Sequence, residues 1–302
     1  MHFCNIRRDN EDTEVNSSMK KRVISALVMA AVCLVAIYFG GYVFGAFFFL
    51  AVAIGLYEFY RAFEHKNYKP VKSSGIVFLL MFALMVVFKT PSFTDLYIKF
   101  PFGIGVRNLF EPLLFIAILM CLCAIVFHHE KHTFADVGIT LFGGFYIVYL
   151  MSYVLLLREM NNGIWVVILP LVTAISADTF ALFTGMKLGK HKLIPKVSPN
   201  KTVEGAIGGW VGAVVCTVIY YFIMSAFEVS IGLEWYDFIV IGLIGGVLAQ
   251  IGDLGASAIK RYVGVKDFGH LIPGHGGVLD RIDSYMILFP LVYLYMLIRG
   301  VC

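Results

Sequence analysis

The chain has 302 residues, of which 60% are apolar and 15% charged, with a formal net charge of +4. A soluble domain is typically about 45–50% apolar and about 25% charged, so an ordinary soluble enzyme is excluded and an all-α polytopic membrane protein is expected. The six cysteines fall mostly inside apolar runs and lack CxxC spacing, which leaves them as small packing residues rather than metal ligands.

Residues 1–18 are polar, mixed in charge and without hydrophobic periodicity, and are read as a separate extension. Met19-Lys20-Lys21-Arg22 then opens an apolar run to Phe39. No small-residue cleavage site follows, and Gly40-Gly41 leads straight into a second apolar run ending near Tyr57. The pair is therefore expected to stay in the membrane as a helical hairpin and not to leave as a signal peptide.

Further spans are expected at 74–88, 109–127, 137–157, 164–183, 205–225, 236–253 and 284–299, making nine. With the N-terminus in the cytoplasm, segments 1–22, 58–73, 128–136, 184–204 and 254–283 hold 19 of the 24 lysines and arginines. The positive-inside rule then predicts N-in and C-out, with those segments on one cytoplasmic face. Up to about residue 160 the spans are plain Leu, Phe, Val and Ala, whereas acids and glycines enter the helices from Asp178 onward. That contrast predicts a transmembrane scaffold of about five helices over 19–160 and a catalytic region of about four over 161–302.

Glu58-Phe59-Tyr60-Arg61 closes the second span and reads as an interfacial anchor, with Tyr and Arg at headgroup level. Asp178 is the only carboxylate well inside a predicted span. An Asp at a helix centre costs about 2.5–3.5 kcal/mol on insertion scales, which marks it as functional.

The loop from Gly185 to Gly205 is the most basic stretch, with Lys187, Lys190, Lys192, Lys196 and Lys201. Within it Ser198-Pro199-Asn200-Lys201-Thr202 reads as a turn with free hydroxyls before the glycine-rich helix start Glu204-Gly205-Ala206-Ile207-Gly208-Gly209. Helix N-termini present unpaired N–H groups to anions, so the lysines and the helix start suit a phosphate. The order of a Walker loop is absent.

The densest chemistry lies near the end. If the helix continues past Asp253, then Gln250, Asp253, Ser257, Lys260 and Arg261 fall on one face. Asp280 and Asp283 are three apart and point the same way if a helix begins there. Asp253, Asp280 and Asp283 offer the hard oxygen ligands that Mg²⁺ prefers. Gly274, Gly276 and Gly277 let the backbone approach a ligand, and Lys260, Arg261 and Arg281 can neutralise phosphate oxygens. His275 is open between metal ligand, proton carrier and turn residue. Together these read as a nucleotide site.

At these residues the sequence resembles the phosphatidate cytidylyltransferases, or CDP-diacylglycerol synthases. The resemblance is carried by Ser257-Ala-Ile-Lys260-Arg261, Lys266-Asp267, and His275-Gly276-Gly277-Val-Leu-Asp280-Arg281-Ile-Asp283, with Gly189-Lys190-His191-Lys192 and Ser198-Pro-Asn-Lys201-Thr202-Val-Glu204-Gly205 upstream. The strong match covers about 176–288. One departure follows Asp178-Thr179, where the family has a small residue and then an aromatic but this chain has Phe180-Ala181-Leu182-Phe183.

The resemblance implies transfer of the cytidylyl group of CTP to phosphatidate, giving CDP-diacylglycerol and pyrophosphate. It implies Mg²⁺ held by Asp253, Asp280 and Asp283, with room for a second cation such as K⁺, and catalytic roles for Lys260 and Arg261. Substrate binding would fall to Ser198, Asn200, Lys201, Thr202, Glu204, Lys192, Asp178, His275, Gly276, Gly277 and Arg281. The implied partners are CTP, phosphatidate and membrane lipid, with no nucleic acid, in a homodimer of a bacterial plasma membrane with its site facing the cytoplasm. A CTP-dependent kinase for polyisoprenoid alcohols is the neighbouring enzyme reading. A transporter is the reading from another class, disfavoured because only one half of the chain is polar.

Overall fold

The structure is a computed structural model that describes residues 25, 27–88, 98–99, 105–106, 110–272, 274 and 276–301. The polar extension, the start of the first span, and His275 lie outside the described residues. Among the described residues the fold is all-α apart from two short hairpins. The helices are α1 (Leu27–Phe39), α2 (Gly41–Glu64), α3 (Lys72–Phe88), α4 (Phe110–Phe127), α5 (Phe134–Glu159), α6 (Gly163–Leu188), α7 (Val203–Ala226), α8 (Trp235–Val263) and α9 (Leu279–Ile298). β1 (Ile98–Lys99) pairs antiparallel with β2 (Gly105–Val106), and β3 (Lys192–Ile194) with β4 (Ser198–Thr202).

Each expected span corresponds to one helix. Six of these (α2, α5, α6, α7, α8 and α9) are long and apolar enough to cross a membrane by length and composition, while α1, α3 and α4 are shorter apolar helices. Two boundaries move in ways that matter. α8 runs ten residues past Asp253, so that carboxylate sits inside a helix instead of at its end. At about 1.5 Å per residue its 29 residues are longer than a hydrocarbon core of about 30 Å requires. α9 starts at Leu279, which puts Asp280 and Asp283 in its first turns.

Four of the five segments expected to share one face meet at one end of the bundle, the first, 1–22, lying outside the described residues. Tyr68 and Tyr262 hydroxyls lie 2.5 Å apart, Lys66 donates to the Tyr262 carbonyl at 2.9 Å, and Lys69 N–H donates to Asp136 at 2.6 Å. Arg261 Nε donates to the Val197 carbonyl at 3.3 Å, tying the β3–β4 hairpin to α8. Among the described residues, segments predicted for the opposite end meet near Asn162, Ser230 and Arg299. Asn162 donates to the Ser230 carbonyl at 2.7 Å, and Arg299 Nε pairs with buried Asp237 at 3.0 Å.

α6 and α7 pack most closely, through small residues that let backbones approach where no hydrophobic drive separates helix from lipid. A Cβ on Gly209 would lie 2.5 Å from the Ala177 carbonyl oxygen, and one on Gly212 would collide with the Phe180 ring. Gly212 thus makes the room for the Phe180 ring. The glycine-rich start of α7, expected to admit a phosphate, serves helix packing in this part. One apolar cluster runs through both halves of the chain, from Ile37, Phe59 and Phe82 to Phe238, Met286 and Phe289.

Candidate active site

A cavity of about 500 Å³ opens between the β3–β4 hairpin, the end of α6, the start of α7 and the flank of α8. Asp178 from α6, Asn200, Lys201 and Thr202 from β4, and Gln250 and Asp253 from α8 line it. Its remaining wall is apolar and includes Leu182 and Met186, both well exposed on the flank of α6. Lys201 Nζ is ion-paired with Asp253 Oδ2 across this space. Asp178 feels Asp253 as a repelling charge and Lys201 and Arg281 as attracting ones.

Local structure explains how the hairpin delivers Lys201. The Thr202 hydroxyl accepts the Gly205 N–H at 3.1 Å and caps α7. Glu204 reaches back to the β3 strand entrance, accepting from Lys190 N–H at 3.1 Å and from the His191 ring at 2.6 Å. Glu204 therefore shapes the hairpin and does not line the cavity. In the ladder Lys192 stands opposite Thr202, and Ser198 opposite Ile194. Lys192 is exposed and Ser198 half-buried, and both lie outside the cavity wall.

Behind Asp253 lies Asp283, buried on α9. The charges of Asp253 and Asp178 both act on it, with Lys260 as the attracting counterweight. The close approach of α8 to α9 rests on Gly252, where a Cβ would sit 2.9 Å from the Asp283 carbonyl oxygen. A carboxylate on one helix is thereby set beside the carboxylate of the next.

Asp280 does not join this group. Its Oδ1 accepts from Lys260 Nζ at 2.8 Å, and its Oδ2 from the Phe268 and Gly277 N–H groups at 2.9 and 3.0 Å. Both side chains are nearly removed from solvent. A buried carboxylate must be paired and hydrogen-bonded, and Asp280 finds those partners in the loop 264–278, which it folds onto the start of α9. Lys260, expected to meet phosphate, is spent in this clasp. Gly276, at φ +86°, turns the loop back so that its carbonyl accepts the Ile272 N–H at 2.9 Å.

The structure gives Glu58 a place that the anchor reading did not. Read as part of an interfacial anchor, it is buried in the structure, 5% exposed, and accepts the N–H groups of Val278 and Leu279 at 3.1 and 2.9 Å. It caps the N-terminus of α9 from α2, satisfying donors that the helix cannot satisfy itself. A Cβ at Gly269 or Gly277 would collide with its carboxylate. Tyr60, the anchor's aromatic, is also buried and donates to the Thr140 carbonyl at 3.0 Å. Only a partner more than two hundred positions away explains Glu58, and no local spacing announces such a partner.

Gln250 was also passed over as a site residue, although its place one turn before Asp253 was visible. It lines the cavity and donates to the Ala206 carbonyl at 3.0 Å.

Comparison with known proteins identifies the scaffold. The sequence model of the cytidylyltransferase family matches residues 20–299. The chain belongs to this family. It is 32% identical over 276 residues to a phosphatidate cytidylyltransferase of Bacillus subtilis, covering 91% of this chain and 96% of the relative. A phosphatidate cytidylyltransferase of Synechocystis is 32% identical over 307 residues, with 92% and 96% covered. One from Staphylococcus saprophyticus is 29% identical over 279 residues, with 92% and 99% covered. The cytidylyltransferase match takes in α1 to α9, so Glu58 and α5 belong to it as fully as the aspartates do.

Proposed function

We propose that this cytidylyltransferase joins CTP to phosphatidate, releasing pyrophosphate and forming CDP-diacylglycerol. The observation that carries the reading is the Lys201–Asp253 pair on the cavity wall. A lysine and an aspartate that hold each other across an open cavity can exchange partners when a metal-bound nucleotide enters. Lys201 would then be free to meet phosphate oxygens, and Asp253 would be among the residues to hold the cation.

The chemistry demands little else. A phosphatidate oxygen, ionised near neutral pH, attacks the α-phosphorus of CTP; the bond to the β-phosphate oxygen breaks and pyrophosphate leaves. No strong general base is needed. The difficulty is bringing two polyanions together, which positioning and charge neutralisation supply. Apolar Leu182 and Met186 beside the polar wall suit a substrate whose headgroup enters while its tails remain in lipid.

For the cation, the donor set fits a hard divalent ion. Among the described residues no three His, Cys, Asp or Glu side chains form a ready-made metal group. Mg²⁺, however, usually takes one or two carboxylates and completes its shell with water and substrate phosphates. Asp253 and Asp283, repelling one another in apolar surroundings, are the pair that would hold it, with Asp178 beside them. When bound it would draw off charge moving onto the leaving pyrophosphate. Asp280 acts by holding the loop, and Arg281 remains to screen Asp178. The cation-rich end that contains the cavity is assigned to the cytoplasmic face, where CTP is found, on the positive-inside rule.

The test is the identity of the products. Purified protein given phosphatidate and CTP labelled on the α-phosphate should move label into lipid with one pyrophosphate per lipid. Label from the γ-phosphate entering lipid, with release of CDP, would assign a kinase instead.

A further inference from the structure

Midway along α5 the helix loosens into a π-helical turn, Gly144–Tyr149. Such turns insert an extra residue, re-aim the side chains that follow, and occur often at functional sites. Tyr146 sits in this one. Its ring stacks on Phe142, centroids 5.2 Å apart and planes 18° from parallel, which fixes where its hydroxyl points. The hydroxyl is buried and has no hydrogen-bond partner among the described residues. Buried hydroxyls are nearly always paired, so an orphan calls for a partner supplied from elsewhere. The acidic groups whose charge reaches it are Asp283 and Asp253. Ile147, the next residue, and Ile282, next to Asp283, both lie within 4 Å of where a Cβ at Gly55 would stand, so this turn packs against the start of α9 that carries Asp283, from the half of the chain without catalytic motifs.

We infer that the Tyr146 hydroxyl donates a hydrogen bond to a substrate phosphate oxygen bound at Asp253 and Asp283. The inference rests on the proposed cytidylyl transfer for the identity of that phosphate. Both substrates carry one. Phe142, stacked on Tyr146 and itself 49% exposed on the bundle's flank, connects this side of the site to the surrounding lipid, which favours the phosphate of phosphatidate over that of CTP. The cavity with Lys201 then serves the nucleotide from the other side, and the two phosphates meet at the carboxylates.

Tyr146→Phe tests this cleanly, because it removes only the hydroxyl and leaves the ring stack. In ligand-free protein the thermal midpoint should stay the same or rise, since no protein partner is lost. In the transfer assay kcat/KM should fall roughly tenfold or more, the range for a hydrogen bond to a charged group. A rise confined to the KM for phosphatidate assigns the lipid phosphate, and one confined to the KM for CTP assigns the nucleotide phosphate. Wild-type kinetics in Tyr146→Phe, with active wild-type protein in the same assay, would overturn the inference and leave the proposed function standing. A lowered midpoint in ligand-free Tyr146→Phe with unchanged KM values would also overturn it, by showing a structural role. An inactive wild-type protein would instead overturn the functional reading itself.

Discussion

Glu58 on α2 accepts the backbone N–H of Leu279 at 2.9 Å and so caps the helix that carries Asp283, across 221 positions of sequence. The carboxylate is a structural part of the site although it lies in the half that looks like plain scaffold. Its removal leaves two buried donors without an acceptor, at about 1–3 kcal/mol each. Glu58→Ala should lower the thermal midpoint in detergent and reduce turnover. Glu58→Gln, which keeps one carbonyl oxygen, should lie between Glu58→Ala and wild type in both measurements. An unchanged midpoint in Glu58→Ala would show that the cap contributes nothing.

The clasp between Lys260 and Asp280 separates stability from chemistry. Asp280→Asn leaves a buried ammonium facing a neutral group, and breaking one side of a buried pair costs about 3–5 kcal/mol. The variant should be poorly stable, and Lys260→Met placed on top of it should restore part of the loss. If Asp280→Asn is as stable as wild type but inactive, Asp280 belongs with the metal ligands after all.

Gly252 sets the spacing between α8 and α9. A Cβ there would press on the Asp283 carbonyl oxygen at 2.9 Å, and the helices must part to admit a larger side chain. A displacement of about 1 Å can cost on the order of a hundredfold in rate. Gly252→Val should therefore insert normally and lose most of its kcat. Wild-type kcat in that variant would mean that Asp253 and Asp283 need not be neighbours.

Lys201→Met removes the cation facing the cavity. It should raise the KM for CTP and lower kcat/KM about ten- to a hundredfold, in line with a lost charge-assisted hydrogen bond. Steady-state kinetics with each substrate varied in turn will tell this from an effect on phosphatidate.

The helical architecture was legible because hydropathy fixes spans and the clustering of lysines and arginines fixes which loops share an end. The same loops do meet, through Tyr68 with Tyr262 and Lys69 with Asp136. Asp178 could be picked out because a carboxylate inside an apolar span is costly without a purpose, Asn200, Lys201 and Thr202 because they lead a basic loop into a helix start, and Asp253 because it shares a helix face with other polar groups; the cavity gathers all five. The division of labour among the acids could not. Spacing in the sequence puts Asp280 and Asp283 in adjacent turns, but only packing turns one toward Lys260 and the other toward Asp253. Glu58 and Tyr146 were hidden for the same reason, since each acts on residues far along the chain that no local pattern names.

The central claim is that Asp253 and Asp283 form the reacting centre of a magnesium-dependent cytidylyl transfer. Its most direct test is incorporation of α-labelled CTP into lipid by purified wild type and Asp283→Asn across a magnesium titration. The account predicts product that rises with magnesium in the wild type and none in an Asp283→Asn variant that still inserts. Near-normal incorporation by Asp283→Asn would contradict it.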